Sequence, residues 1–180
     1  MKKESKFNIY GTVPLAALSG LIYGGKGLYD SVQGKNKYEQ RIGILDSVGS
    51  KLEDAQFEFH KKSPDGSKIT TSVSDALSLT RSNRDLLIGD VSYTLQDVLD
   101  ELPVLDYSER WKPHGPYDDV EKALESIRKR KEEQSAFIEE FIDPAFNWNL
   151  VLLAMSASAA VQAGWGMYKS SRKNGAEHKD

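Results

Sequence analysis

The sequence contains no cysteine, which excludes disulfide bonds, thiolate metal ligands and a cysteine nucleophile. Histidine is scarce: His60, His114 and His178 lie far apart and form no spacing typical of a metal site. Basic charge is not in excess either, because 24 Lys and Arg stand against 27 Asp and Glu, a net charge of −3. Proteins that recognise DNA present a basic face, so the composition argues against sequence-specific DNA recognition.

Motifs for catalysis are also missing. The nearest approach to one is Gly20–Gly27, which resembles a phosphate-binding loop. However, Gly27 stands where a hydroxyl residue would ligate magnesium, and no buried strand precedes the segment. Asp97, Asp100 and Glu101 cluster in the sequence, and a solvated acidic helix face accounts for them better than a paired acid and base. We therefore expect no catalytic residue, no metal site and no cofactor.

Charge is absent from two long stretches, the 19 residues Phe7–Gly25 and the 23 residues Phe146–Tyr168. A helix needs roughly 20 residues to cross the hydrocarbon core of a bilayer. Neither stretch is strongly apolar, because glycine, proline, serine, asparagine and glutamine interrupt them. Aromatic residues near their ends are typical of an interfacial belt. Two interpretations stay open: helices that enter a bilayer, and helices that pack tightly within a protein assembly.

Small residues recur at four-residue spacing in both uncharged stretches. This spacing allows helix backbones to approach closely, as in helices that associate in lipid. We predict these residues as membrane or inter-subunit packing positions: Ala16, Gly20 and Gly24 in the first stretch, and Ser156, Ala160 and Gly164 in the second.

The middle of the chain is densely charged, and its sequence pattern predicts helices. Between Asp30 and Asp143 there are 16 Lys and Arg and 24 Asp and Glu, a net of −8. Apolar residues recur there at steps of three and four, which marks one face of an amphipathic helix. The stripe residues that we predict to pack are Ile42, Leu45, Leu52, Ile127 and Phe137.

These features predict an all-α protein in which long amphipathic helices are bracketed by two uncharged, membrane-inserting or tightly packing helices. Because 180 residues cannot cover many such stripes internally, we expect an oligomeric ring or tube. We divide the chain into a basic start with the first uncharged segment (1–30), a charged helical middle with a Pro-rich loop near 103–116 (31–143), and the second uncharged helix with a basic tail (144–180). Within the middle, we expect a short extended piece at Lys68–Val73, a helix beginning near Ser72 and a break at Asp143–Pro144.

Both ends of the chain resemble known phage proteins over about a quarter of its length. Gly11–Gly20, followed by Gly24-Gly-Lys-Gly-Leu28, looks like the start of many small phage DNA-transfer proteins. Phe141-Ile-Asp-Pro-Ala145, followed by Leu150–Met155, Ser-Ala-Ser-Ala-Ala160 and a basic tail, is similar to the end of the smallest internal core protein of short-tailed phages. The middle departs from that family, since it is more acidic and has fewer Gln and Ala.

The resemblance implies a structural virion protein that is stored in the particle and ejected into the host envelope to help form a channel for genome delivery. Its partners would be further copies of itself, other virion core or tail proteins, host membrane lipid, and genome DNA that passes through without sequence-specific binding. It would be located in the virion interior and then in the host cell envelope. Two alternatives stay open: a permanently anchored two-span subunit of a larger complex, integral to the inner membrane, and a soluble neck or core component of the virion.

Overall fold

The computed structural model describes residues 4–83, 86, 89–104 and 115–176 and, within these ranges, the side chains of residues 15–103 and 115–169. Every described element is helical, which confirms the predicted all-α class. The elements are α1 (Glu4–Phe59), α2 (Gly66–Ser82), α3 (Gly89–Glu101), α4 (Pro116–Phe137) and α5 (Asp143–Ala176), with a 3₁₀ turn at Leu102–Val104 and a π-helical turn at Ile138–Ile142. Most of the predicted Pro-rich loop, residues 105–114, lies outside the described residues.

The first uncharged stretch and the first amphipathic stripe belong to one helix. α1 runs for 56 residues from Glu4 to Phe59 without interruption, although the sequence predicted separate elements. After Pro14, no proline occurs until Pro64. In between, glycines weaken the helix most, each by about 1 kcal/mol, and packing contacts at several of them offset this cost.

The expected break at Asp143–Pro144 is wrong, because helical structure continues from α4 into α5. The π-helical turn Ile138–Ile142 lies directly before Asp143 and Pro144. Proline has no backbone N–H and its ring clashes with the preceding turn of an α-helix. A wider π-helical turn relieves both problems locally, so the chain passes Pro144 without ending the helix.

The extended piece expected at Lys68–Val73 is also wrong, since α2 already begins at Gly66. Asp65 is the N-cap: its carboxylate accepts hydrogen bonds from the backbone N–H groups of Ser67 at 3.1 Å and Lys68 at 3.3 Å. The segment from Ser63 to Gly66 therefore both follows α1 and starts the next helix. Ile69 and Val73 are buried on the inner face of α2.

The chain comprises two compact units. Asn36–Ile138 form one, which we call the bundle unit, and Met1–Lys35 with Glu139–Asp180 form the other, which we call the paired-helix unit. α1 contributes residues to both.

In the bundle unit, α2, α3, α4 and the part of α1 after Lys35 enclose one hydrophobic core. The α1 residues in this core follow a three- and four-residue spacing, and they are joined by apolar residues from the other three helices. Ion pairs on the surface connect the same helices, with Lys51 bound to Asp75 at 3.2 Å and Lys131 to Asp46 at 2.6 Å. The α1 core residues are Leu45, Val48, Leu52, Ala55 and Phe59.

Candidate functional site

In the paired-helix unit, α1 and α5 run antiparallel and meet through small residues. Gly20, Gly27 and Gly34 are spaced seven apart, so they lie on one face of α1. A Cβ built at Gly20 would overlap the Ser156 hydroxyl, one at Gly27 would lie 2.5 Å from Asn149 Oδ1, and one at Gly34 would lie 3.8 Å from Ile142 Cδ1. The partners on α5 descend in steps of seven as those on α1 ascend.

At Gly24, the backbone of α5 lies close to α1. A Cβ at this position would lie 3.3 Å from the backbone nitrogen of Leu153 and 3.5 Å from the carbonyl oxygen of Asn149. Unlike a side-chain terminus, a helix backbone cannot rotate away. Gly24 therefore sets how closely α5 can approach α1, and this is how small residues act in helix pairs within lipid.

The polar groups between the two helices are paired with each other. The Asn149 side-chain amide donates to the Ser31 hydroxyl at 3.4 Å, and Ser31 donates to the carbonyl oxygen of Gly27 at 2.8 Å. Near the π-helical turn, Lys35 Nζ lies 2.8 Å from Asp143 Oδ1, and both side chains are about 40% exposed. An ion pair this exposed contributes little stability, on the order of 0–1 kcal/mol, but it removes a net charge from this end of the unit.

The outer surface of the paired-helix unit is apolar. On α5, Trp148 is 69% exposed, Met155 66% and Trp165 68%; on α1, Ile22 is 67% exposed. Exposed apolar patches of this extent mark interaction with a protein or a membrane. The other large apolar residues exposed on this unit are Leu15, Leu18, Tyr23, Tyr29, Val32, Phe141, Leu150, Val151, Leu152, Val161, Met167 and Tyr168.

This surface is long enough to match a bilayer. At about 1.5 Å per residue, the 23 uncharged residues Phe146–Tyr168 extend roughly 35 Å, against roughly 30 Å for the hydrocarbon core. Trp148 lies at one end, while Trp165 and Tyr168 lie at the other with ring centroids 6.0 Å apart. Aromatic residues at both ends of an apolar segment are typical of membrane interfaces.

Among the described residues, one helical stretch is long and apolar enough to cross a membrane. It runs from Pro116 to Lys169 and contains an 18-residue window of mean hydropathy 1.4, none of which is buried. The side chains of residues 7–14 in the first uncharged stretch lie outside the description. The described half of that stretch contacts α5 through Gly20 and Gly24.

The six predicted small residues do not share one environment. Ser156 packs on Gly20, Gly24 is buried and Ala160 is half-buried. Ala16 is exposed, and Ala17 beside it is buried instead. Gly164 is exposed, and a Cβ there would meet no atom within 4 Å.

The sequence prediction missed Gly27, Gly34, Ser31 and Asn149, although a signal for the α1 residues was present. Small residues at positions 17, 20, 24, 27, 31 and 34 alternate steps of three and four, which is a seven-residue repeat. The predicted four-residue spacing includes only Gly20 and Gly24 of this repeat.

The five predicted stripe residues lie in the bundle unit. Leu45, Leu52 and Ile127 are buried in its core, and Ile42 is half-buried. Phe137 is 39% exposed, and its ring stacks on Tyr38 with centroids 4.8 Å apart. These residues are therefore covered, wholly or partly, within a single chain.

The described residues offer little for chemistry. No group of three or more His, Asp or Glu among them could hold a metal ion. A depression of about 600 Å³ in the bundle unit is an open surface feature lined by Gln56, Leu124 and charged residues of α4. Glu58 is the one buried carboxylate in the described ranges, and it binds Lys61 Nζ at 2.6 Å and the Asp65 backbone N–H at 3.2 Å. The hydrogen bond from Lys61 lowers the pKa of Glu58, which suits a structural carboxylate that stays ionised.

No protein-family model, curated protein or solved structure matches the chain significantly.

Proposed function

We propose that this chain is a structural protein that inserts its α1–α5 pair into a lipid bilayer, and that it acts as a phage virion protein ejected into the host envelope to help form a channel for genome delivery. Insertion into a bilayer is supported by the distribution of residues in the paired-helix unit, which is the reverse of that in a water-soluble core. Small and polar residues such as Gly24, Ser31 and Asn149 lie between the helices, while Trp148, Met155 and other large apolar residues face outward.

In water, this arrangement is unfavourable, because roughly 25 cal/mol of stabilisation is forgone for each Å² of apolar surface left exposed. In lipid, it is favourable for two reasons. The outward residues meet hydrocarbon, and the inward polar groups of Ser31 and Asn149 keep hydrogen-bond partners where no water is available. The bundle unit has the opposite arrangement, with its large apolar residues buried, so it suits the aqueous side.

The ejection part of the proposal rests on the resemblance at both ends of the chain and on the moderate hydropathy of α5. Ser156, Ser158 and Gln162 interrupt its apolar run, so insertion should be conditional, as expected of a protein that is stored in a particle before it meets a membrane. The charged middle, with a net of −8, suits passage of DNA, since a basic wall would retain the phosphates.

Insertion can be tested with single cysteines, because the natural chain has none. Met155→Cys in α5 and Tyr93→Cys in α3 replace residues that are 66% and 77% exposed, which makes them a matched pair. Each variant would carry an environment-sensitive fluorophore and be mixed with liposomes. We expect a blue shift and quenching by lipid-borne quenchers at position 155 only. Equal spectra at both positions, with and without lipid, would favour a soluble virion component.

Storage and ejection can be tested separately on virus particles. We expect the protein in intact particles purified without detergent and its loss from particles that have released their DNA. A protein that needs detergent from synthesis onward would instead be a permanent two-span membrane subunit.

A further inference from the structure

The two ends of the paired-helix unit carry opposite charge. At the end where α1 begins and α5 ends, the helical positions of 4–14 and 169–176 include four basic residues and one acidic residue, a net of +3: Lys6, Lys169, Arg172 and Lys173 against Glu4. At the other end, residues 26–35 and 139–143 include two basic and four acidic residues, a net of −2: Lys26 and Lys35 against Asp30, Glu139, Glu140 and Asp143.

The basic end adjoins an aromatic band on the apolar surface. Trp165 and Tyr168 are 68% and 58% exposed, and Lys169 follows at once on the same helix. Tryptophan and tyrosine favour the level of the lipid headgroups. With these rings at that level, Lys169 lies next to the layer of the phosphates.

Several basic residues of the bundle unit form ion pairs with neighbouring acids. In the bundle unit, Lys51 pairs with Asp75, Lys122 with Asp119, Arg128 with Glu53 and Lys131 with Asp46. Lys169, by contrast, makes no ion pair with any residue that the structure describes. The charge of Lys169 is therefore available to an external anion.

We infer that the basic end of the paired-helix unit binds the headgroups of anionic phospholipids. This inference rests on the proposed insertion, and it adds the lipid class. The charge complementarity selects the ligand: an anionic surface attracts each nearby Lys or Arg by about 1 kcal/mol, whereas a zwitterionic surface carries no net charge to attract them.

Flotation of the full-length protein with two kinds of vesicle tests this inference. One kind consists of phosphatidylcholine alone, and the other contains phosphatidylglycerol as well. We expect stronger binding to the anionic vesicles, weakened by high salt because the surface potential is screened. Replacing the three basic residues at the end of α5 should remove most of the preference, about fivefold for each residue: Lys169→Gln, Arg172→Gln and Lys173→Gln.

A matched control removes the same charge from exposed positions of the bundle unit that pair with no described acid: Lys37→Gln, Lys62→Gln and Lys129→Gln. This control should keep the preference for anionic vesicles. Circular dichroism of both triple variants would verify that helicity is unchanged.

The outcomes separate the inference from the insertion proposal. Equal binding of the natural protein to both vesicle types would overturn the inference and leave insertion standing. Equal loss of preference in the control would also overturn it, because net charge and not the basic end would then be responsible. Flotation with neither vesicle type would overturn both proposals.

Discussion

Glu58 holds together the turn between α1 and α2. Its carboxylate accepts hydrogen bonds from Lys61 and from the backbone of Asp65, which in turn caps α2. Hydrogen bonds from Lys61 and from the Lys68 backbone N–H, respectively, lower the pKa values of Glu58 and Asp65 below their ordinary values of 4.5 and 3.8. Both carboxylates therefore stabilise the folded state only while they are ionised.

The stability of the bundle unit should consequently fall at acid pH. A carboxylate whose pKa is lowered by folding contributes fully above its ordinary pKa and loses that contribution as pH falls through the folded value. We expect the thermal midpoint to decrease as pH falls below about 4.5, and Glu58→Gln to flatten part of this decrease. Glu125→Gln, which replaces an exposed carboxylate of α4, is the control. An unchanged pH profile in Glu58→Gln would contradict this account.

Gly24 should tolerate no larger residue. Gly24→Leu places a side chain against the Leu153 backbone, and overpacking of this kind costs about 1–3 kcal/mol. Gly43 lies in the same helix, and a Cβ there meets nothing within 4 Å. Gly43→Leu should therefore stabilise α1 by about 0.5–1 kcal/mol through helix propensity. Thermal unfolding of the two variants should shift in opposite directions, and a shared direction would refute the close approach of α1 and α5.

At the scale of elements, the same helix α1 packs in two ways along its length. Up to Gly34 its inward positions are glycine, alanine and serine, and the neighbouring helix comes close. From Leu45 onward its inward positions are mostly Leu, Val and Phe, and they fill a core of conventional size. The inward positions of α1 thus keep the same seven-residue repeat along the helix. In the paired-helix unit this repeat supports a tight pair of helices, and in the bundle unit it supports a helical bundle.

The outward face of α5 should be sensitive to charge only in lipid. Val151 and Met155 are exposed, so lysines at both positions should leave folding in water unchanged. In a bilayer, each lysine near the helix centre costs about 2.5–3.5 kcal/mol, and Val151→Lys with Met155→Lys should abolish liposome insertion. Tyr93→Lys on α3 should insert normally, as measured by flotation after a high-salt wash. Insertion of the double variant at natural levels would rule out α5 as the lipid-facing element.

At the scale of the whole molecule, the chain forms two units of different character. The paired-helix unit has an apolar outer surface and two ends of opposite charge, whereas the bundle unit is acidic. The stripes that suggested neighbouring subunits are largely covered within one chain, as Leu45, Leu52 and Ile127 show. If copies of the chain assemble into a ring or tube, we therefore expect them to contact each other through the exposed outer side of α5.

Gly164 is the position that tests such an assembly. A side chain there would meet nothing within the chain, so Gly164→Leu should leave the thermal midpoint unchanged or raise it. If copies pack through this face in lipid or detergent, the leucine should keep their helices apart and reduce the oligomer size in sedimentation. Gly166→Leu, which also meets nothing within 4 Å but lies on another side of α5, is the control. An identical oligomer in Gly164→Leu would exclude this face.

Much of the architecture was determined by the sequence alone. The periodicity of Leu45, Leu52 and Ile127 predicts packing positions on inner helix faces, and in the structure these residues are buried in the bundle unit. The all-helical class followed from the same patterns. Periodicity succeeds here because a helix places residues three and four apart on one side whatever it packs against.

Only the tertiary structure decided what each face meets. Ser156 and Gly164 both belong to the predicted small-residue stripe, yet Ser156 contacts Gly20 and Gly164 lies open. The two uncharged stretches are separated by more than a hundred residues, and spacing within one helix contains no information about its partner. The passage of the helix past Pro144 likewise depended on a π-helical turn. Local preferences define elements and faces, whereas the pairing of α1 with α5 depends on how closely two distant backbones can approach.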